Sequence, residues 1–128
     1  MTEPAGPGPH QQPGEREPAV SSVERTERGI VVTLAGELDL YNADALRSAL
    51  FACCAEEPER LVVDLERVRF IDSTALGVLI EARSKLANRR GFMLAAPRLA
   101  TRRALEVSGL DRHFSLHDTT GEALAAPV

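Results

Sequence analysis

The chain has 128 residues, with 15 Lys and Arg against 19 Asp and Glu and a formal net charge of −4. Because there is no basic excess, the composition argues against direct binding to nucleic acid or to an anionic membrane surface. A hydrophobic fraction of 44% and a charged fraction of 27% are ordinary for a globular chain of one domain. No apolar run approaches the ~18 residues of a membrane span, and no signal peptide pattern is present, so we expect a cytoplasmic protein.

The N-terminal segment differs in composition from the rest of the chain. Residues 1–18 hold five of the eight prolines and, after Met1, no large apolar side chain. Such a segment buries too little surface to offset its ordering entropy, so we predict a disordered tail over residues 1–18 and one domain over residues 19–128. A proline-rich ligand is the alternative, although only the weak Pro4 to Pro7 spacing supports it.

The first predicted elements are a hairpin and a helix. Residues 20–27 form a marginal strand, Gly29 turns the chain, and residues 30–34 form a β-branched strand that is typical of a sheet interior. The strand region ends with GELD at residues 36–39. Asn42 is then predicted to cap a helix with a single apolar stripe.

The central segment predicts a strand followed by a helix. Residues 61–65 form a short continuous apolar run, and residues 66–71 read as a connection. The strongest helical pattern covers residues 74–90, with Ser73 as the predicted N-cap and Gly91 as the residue that stops the helix.

The last third of the chain continues the alternation of strands and helices. We predict strands over residues 92–95 and 114–116, and a helix over residues 98–107 that ends at Gly109. The spacing from Thr119 to Glu122 is that of a capping box before a short final helix. Strands that alternate with helices predict an α/β fold.

Motifs for catalysis and for metal binding are missing from the sequence. It contains no phosphate-binding glycine loop, nucleophile elbow, zinc-protease motif or dinucleotide fingerprint, so we expect no enzyme, no catalytic residue and no cofactor. The adjacent Cys53 and Cys54 lack metal-ligand spacing and suit a reducing compartment. His113 and His117 lack a third ligand, so we expect no metal site.

The segment Asp72-Ser73-Thr74 admits several interpretations. An aspartic protease loop would require glycine where Thr74 stands, and a second copy of the domain to provide the other carboxylate. The N-terminus of the helix after Ser73 offers free N–H groups that tolerate a phosphate on that serine. Alternatively, Ser73 only caps the helix.

Two aliphatic residues lie off the main apolar stripe of this helix. Winding at about 100° per residue places Leu76 and Ile80 away from the centre of the stripe. Each is therefore either buried by another element or available to a partner, and Leu76, beside Ser73, is the one we expect to be exposed.

Several segments, in this order and spacing, carry a family resemblance. They are GELD at residues 36–39, LVVDL at residues 61–65, FIDSTALGVL at residues 70–79, and SGL at residues 108–110 followed by Phe114. Together they resemble the STAS domain family and, within it, the bacterial anti-sigma factor antagonists, over about residues 20–125. The resemblance implies a single α/β domain with a mixed sheet of four to five strands and about four helices, packed mainly on one face.

The resemblance also implies a role in transcription regulation by partner switching. The unphosphorylated antagonist would bind an anti-sigma factor that is also a serine kinase of the histidine-kinase-like ATPase type, and so release a sigma factor of, for example, a stress response. The kinase would phosphorylate Ser73, or less favourably Thr74, and a Ser/Thr phosphatase would reverse the modification.

The residues expected to contact the partner surround Ser73. Leu76 would be an apolar anchor, and Gly77 would allow close approach. The chain has Ala75 where many relatives have glycine, which places a methyl group near the expected contact. A scaffold STAS protein of a signalling or lipid-transport complex, without phosphorylation, is the alternative. The full expected set is Asp39, Asn42, Asp72, Thr74, Ala75, Leu76 and Gly77.

Overall fold

The computed structural model describes residues 17–128. The tail predicted over residues 1–18 lies outside this part except for its last two residues, so it stays a prediction. Of these two, Glu17 forms an ion pair with Arg67 at 2.7 Å between Oε2 and Nη2.

Within the described residues, five strands form one mixed sheet and four α-helices connect or follow them, as predicted. The order of the strands in the sheet is their order in the chain; β1 is antiparallel to β2, and all other neighbours are parallel. The strands are β1 (Val20–Arg25), β2 (Ile30–Leu38), β3 (Leu61–Ile71), β4 (Phe92–Ala95) and β5 (Ser115–His117). The helices are α1 (Ala43–Ala55), α2 (Ser73–Lys85), α3 (Leu99–Ser108) and α4 (Thr120–Ala125), with short 3-10 turns at Arg89–Gly91 and Leu110–Arg112.

The predicted hairpin between β1 and β2 is confirmed, and there is a steric reason why residue 29 is glycine. A Cβ atom at Gly29 would collide with the carbonyl oxygen of Arg60, which accepts a hydrogen bond from the Ile30 amide at 2.9 Å. The turn is closed by Thr26, whose hydroxyl donates to the Gly29 carbonyl at 2.8 Å. Glycine therefore lets the hairpin end approach the start of β3.

The two faces of the sheet are covered unequally. Alternate β2 residues divide between two cores: Ile30 and Val32 face a large cluster, whereas Val31 faces a small one. The large cluster includes side chains of α1, α2 and α3, and the small one is closed by Ala123 of α4. Right-handed crossovers between parallel strands that advance in one direction place their helices on one face, which agrees with the predicted packing.

Strand β3 is longer than the sequence pattern predicts. Residues 66–71 were expected to form a connection, but they continue the strand to Ile71. The ladder with β2 shifts register between Thr33 and Ala35 and again between Gly36 and Glu37. These irregularities interrupt the alternation of buried and exposed side chains, so the polar residues of this stretch concealed its strand character. As a result, β2 and β3 end side by side.

The predicted end of α2 is wrong by five residues. The helix ends at Lys85, and Leu86 is already extended. Gly91 belongs to a 3-10 turn and does not cap the helix; a Cβ atom there would collide with the Glu59 carbonyl oxygen.

Two predicted helix ends in the last third of the chain are confirmed. Gly109 ends α3 with a left-handed φ of 77°, and the Thr119 hydroxyl accepts a hydrogen bond from the Glu122 amide at 3.0 Å. Strand β5 begins one residue later than predicted, at Ser115, and Phe114 before it packs against Phe92 with ring centroids 5.9 Å apart. In residues 17–128, no helix has the length and apolar character needed to cross a membrane.

Candidate functional site

The ends of β2 and β3 bring the two conspicuous aspartates to one edge of the sheet. Leu38 pairs with Ile71 in the parallel ladder, and the Asp72 amide donates to the Leu38 carbonyl at 3.0 Å. Asp39 and Asp72 therefore follow neighbouring strands, as expected. We call this end of the sheet, formed by the loop after β2 and the first turn of α2, the carboxyl edge.

Asp72, and not Ser73, caps α2. Asp72 has an extended backbone, and its Oδ1 accepts a hydrogen bond from the Ala75 amide at 3.0 Å. This is the geometry of an N-cap residue, so the prediction that Ser73 caps the helix is wrong. Ser73 is the first helical residue and is exposed, and within residues 17–128 its hydroxyl has no hydrogen-bond partner. The hydroxyl is thus free for modification or contact.

The loop after β2 is held by the Asn42 side chain. Asn42 occupies the predicted N-cap position of α1 but bonds no helical N–H group. Its Nδ2 donates to the Glu37 carbonyl at 2.8 Å, and its Oδ1 accepts from the Asp39 amide at 2.9 Å. The Asp39 carboxylate in turn accepts from the Tyr41 amide at 3.0 Å. The amide side chain of Asn42 therefore stabilises the loop, not the helix end.

This loop exposes two large apolar side chains that the motif analysis missed. Leu40 is 68% exposed and Tyr41 is 76% exposed. The available signal was two large apolar residues between the end of a strand and a helix cap, where no core position exists for them. Two adjacent exposed apolar side chains of this size are candidates for contact with a partner.

The exposure of Leu76 and Ile80 in α2 is the opposite of the prediction. Leu76 is only 7% exposed and belongs to the main core, whereas Ile80 is 43% exposed. Helix α2 packs against α1 as well as the sheet, which widens its buried arc to include Leu76. Leu76 is therefore not an exposed anchor.

The small residues at the start of α2 also differ in how deeply they are buried. Ala75 is fully buried, so its methyl group fills the core and does not reach the surface. Thr74 is half-buried. Gly77 is half-exposed, and a Cβ atom there would meet no atom within 4 Å, so the helix surface one turn after Ser73 is open.

Of the predicted set, most residues meet at one place. Those brought together at the carboxyl edge are Asp39, Asn42, Asp72, Ser73, Thr74 and Gly77, while Ala75 and Leu76 lie in the core beneath it. A groove of about 310 Å³ adjoins this edge, with Tyr41 and Asn42 on one side and Val20 on the other.

The edge favours an anion locally but is bordered by carboxylates. The first turn of α2 carries no acidic residue after its cap, and its last turn carries Arg83 and Lys85, which match the helix dipole. Nearby, the Asp44 side chain is 98% exposed and pairs with Arg47 at 2.7 Å. The edge can therefore accommodate one phosphate on Ser73, and the carboxylates of Asp39 and Asp72 belong to the same edge.

Cysteines and histidines take no part in this site. Burial raises the pKa of both the Cys53 and Cys54 thiols, which disfavours the nucleophilic thiolate. Cys54 Sγ lies 3.4 Å from the Ala82 carbonyl, across the contact between α1 and α2. In the described part of the chain, no group of His, Cys, Asp and Glu side chains is arranged to hold a metal ion.

Comparison with known proteins gives the family. The sequence profile of the STAS domain matches residues 21–123. The chain is 36% identical over 94 residues to the anti-sigma-F factor antagonist RsfB of Mycobacterium tuberculosis, covering 73% of this chain and 77% of the relative. It is also 36% identical over 90 residues to the anti-sigma-B factor antagonist of Bacillus subtilis, covering 69% and 81%.

A solved structure agrees with these relatives. The crystal structure of an anti-sigma factor antagonist from Mycobacterium paratuberculosis superposes with a TM-score of 0.76 at 38% identity, covering 81% of this chain and 89% of that one. The relatives therefore confirm the family resemblance that was inferred from the motifs. The chain belongs to the STAS domain family, with relatives named as anti-sigma factor antagonists.

Proposed function

We propose that the chain is an anti-sigma factor antagonist that binds an anti-sigma factor through its carboxyl edge and thereby frees a sigma factor. The observation that carries this proposal is the exposed Ser73 hydroxyl, which has no partner within residues 17–128 and directly follows the Asp72 cap. The names of the relatives support the partner class. Phosphorylation of Ser73 switches the binding off.

The contact surface combines an apolar loop with an open helix face. Leu40 and Tyr41 lose exposed apolar area when a partner covers them, which is the usual source of binding energy for such residues. Gly77 lets the partner approach the helix backbone, since no side chain projects there. These residues replace Leu76 as the expected anchors.

Phosphorylation changes the charge of this surface without disturbing the fold. A phosphate adds about −1.5 to −2 charge units. Free amides of the first turn and the helix dipole accommodate it at Ser73, so α2 remains intact. A kinase that holds nucleotide phosphates opposite this edge is repelled, because like charges facing each other across an interface cost several kcal/mol.

The proposed partners come from the family resemblance. The proposed anti-sigma factor is a serine kinase of the histidine-kinase-like ATPase type, and a Ser/Thr phosphatase restores the unmodified serine. The chain itself is the substrate, with no catalytic residue, and acts with these partners in the cytoplasm. Thr74 is a poorer acceptor than Ser73 because it is half-buried.

A phosphorylation assay tests the acceptor. We would incubate the full chain with ATP and its cognate anti-sigma factor kinase, and locate phosphate by mass spectrometry. The expected result is one phosphate, lost in Ser73→Ala and kept in Thr74→Ala. Phosphate on the Ser73→Ala variant would contradict the assignment. Binding to the kinase with no phosphate on either hydroxyl would instead favour a scaffold role.

A binding assay tests the switch separately. Calorimetry should show weak binding for Ser73→Asp and persistent binding for Ser73→Ala. The matched control is Ser84→Asp, because Ser84 is an exposed serine on the same helix, about 16 Å from Ser73 at 1.5 Å per residue. Equal losses for Ser73→Asp and Ser84→Asp would show that added charge alone, not its position, weakens the complex.

A further inference from the structure

A basic cleft lies at the other end of α2, away from Ser73. It has a volume of about 290 Å³ and is lined by Arg83, Arg89, Arg90, Arg112 and His113. Arg83 belongs to the last turn of α2, and the other arginines belong to the 3-10 turns that precede β4 and β5. We call this group the arginine cleft.

The arginines of the cleft differ from the paired arginines elsewhere in the structure. Arg25 pairs with Glu56, and Arg47 pairs with both Asp44 and Glu81. In contrast, within residues 17–128 no cleft arginine has an ion-pair partner, and no carboxylate lines the cleft.

This arrangement has an electrostatic cost that a ligand can remove. Four arginines line one cavity, so their like charges repel each other, and solvent screens this repulsion only in part. A ligand that brings several negative charges into the cavity neutralises all four at once. The site is therefore suited to a multivalent anion better than to a single carboxylate.

Size and geometry indicate the chemical class. A volume of about 290 Å³ is at the lower end of small-molecule sites. Guanidinium groups bind phosphate oxygens in bidentate pairs, so four of them match more than one phosphate. Carboxylates along a peptide are separated by about 3.3–3.6 Å per residue and carry one charge each, which gives a lower charge density. We propose that the arginine cleft binds a compact anion with two or three linked phosphate groups.

An adjoining apolar pit bears on the source of these phosphates. The pit has a volume of about 100 Å³, is lined by Ile80, Leu110 and Phe114, and shares Arg83 and His113 with the cleft. The exposed side chain of Ile80 forms one wall of this pit. The same phosphate chemistry is provided by free polyphosphate or by a nucleotide, whose base would enter the pit.

Titration with sodium tripolyphosphate tests the cleft. Calorimetry on the full chain should show saturable binding, weakened at least about tenfold in the Arg89→Ala/Arg90→Ala double variant, because the variant removes two donors of charged hydrogen bonds to the phosphates. The matched control is Arg98→Ala/Arg103→Ala, which removes the same charge from exposed positions outside the cleft and should change affinity less than about twofold. All four side chains are exposed, so both variants should fold.

Two results would overturn the proposal. One is the absence of saturable tripolyphosphate binding by the unmodified chain, and the other is an equal loss in the two double variants. A second titration with ATP, in the absence of kinase, identifies the source. If ATP binds more tightly than tripolyphosphate, and Ile80→Ala removes this difference, the ligand is a nucleotide. If the two bind with equal affinity, and Ile80→Ala changes neither affinity, the ligand is free polyphosphate.

Discussion

The two ends of α2 present opposite chemistry on one rigid element. At its first turn, an exposed Ser73 hydroxyl lies beside the Asp72 carboxylate; at its last turn, Arg83 faces a cleft of unpaired arginines within the described residues. Arg83 lies ten positions after Ser73, which is about 15 Å along the helix. The helix dipole supports both arrangements, because it favours an added phosphate at the first turn and cations at the last. A single short helix can thus separate two binding surfaces.

The two ends also differ in how the chain builds them. The carboxyl edge comes from residues that directly follow two neighbouring strands, so its motifs are continuous in sequence. The arginine cleft comes from the end of α2 and two separate turns. The first surface carries part of the family resemblance, whereas none of the four arginines of the second belongs to a segment that carries it.

The largest effect is expected from Leu76, which lies near the first end but supports the core. Leu76→Ala should lower the free energy of unfolding by about 2–5 kcal/mol, because it leaves a cavity under α2. Ile80→Ala, one turn later, should change it by less than about 1 kcal/mol, since Ile80 is 43% exposed. Urea unfolding measures both. Equal losses would show that the packing of α2 is more symmetrical than the structure indicates.

The next effect separates the two surfaces. Ser73→Asp should weaken binding to the anti-sigma factor roughly 100-fold, about 2.7 kcal/mol, because it places like charges in contact. It should leave tripolyphosphate binding unchanged. Arg89→Ala/Arg90→Ala should show the reverse pattern. Calorimetry with each ligand checks both variants, and a variant that weakens both interactions would mean that the surfaces are coupled.

A smaller effect tests the cap at the first end. Asp72→Ala should lower the free energy of unfolding by about 1 kcal/mol, because the Ala75 amide loses its acceptor. Ser73→Ala should change it by less than about 0.5 kcal/mol, since Ser73 makes no hydrogen bond within residues 17–128. Thermal unfolding measured by circular dichroism compares them. The opposite order would restore Ser73 as the cap.

The smallest effect concerns a paired arginine near the other end of the sheet. The Arg25 guanidinium, hydrogen-bonded to Glu56, lowers the pKa of that carboxyl. Glu56 therefore stabilises the fold above about pH 4.3, the usual glutamate pKa, and this contribution is lost as the pH falls through the lower pKa of the folded state.

Glu56→Gln should accordingly have a slightly lower melting temperature than the unmodified chain at pH 7, and the difference should shrink below pH 4. Glu106→Gln is the control, since Glu106 is exposed and has no ion pair in the described residues. A difference that stays constant with pH would mean that the carboxylate charge does not provide the stabilisation.

The sequence predicted helix ends and turns correctly where these features depend on a few neighbouring residues. Gly109 and Thr119 end or begin helices through hydrogen bonds within one turn, so their residue types suffice. The hairpin at Gly29 follows in the same way. By contrast, β3 continues past residue 65 only because β2 pairs with it through two register shifts, which no local pattern of β3 shows.

Burial in the candidate site was less predictable than its location. The motif located Asp72 and Ser73 correctly at the start of α2, but the N-cap is Asp72 and not the predicted Ser73. The sequence analysis also predicted that Leu76 is exposed, whereas α1 and the sheet together bury this side chain. Periodicity specifies which direction a side chain faces on a helix, but it does not specify how many elements pack around that helix.

The sequence by itself determined the α/β alternation, the family and the position of Ser73 after an aspartate, because periodicity, caps and motifs are properties of adjacent residues. Tertiary structure alone decided that Leu76 is buried, that Leu40 and Tyr41 are exposed, and that three segments form the arginine cleft. The physical reason is that burial and charge clustering depend on which distant segments meet, and that meeting is set by packing of the whole sheet and its helices.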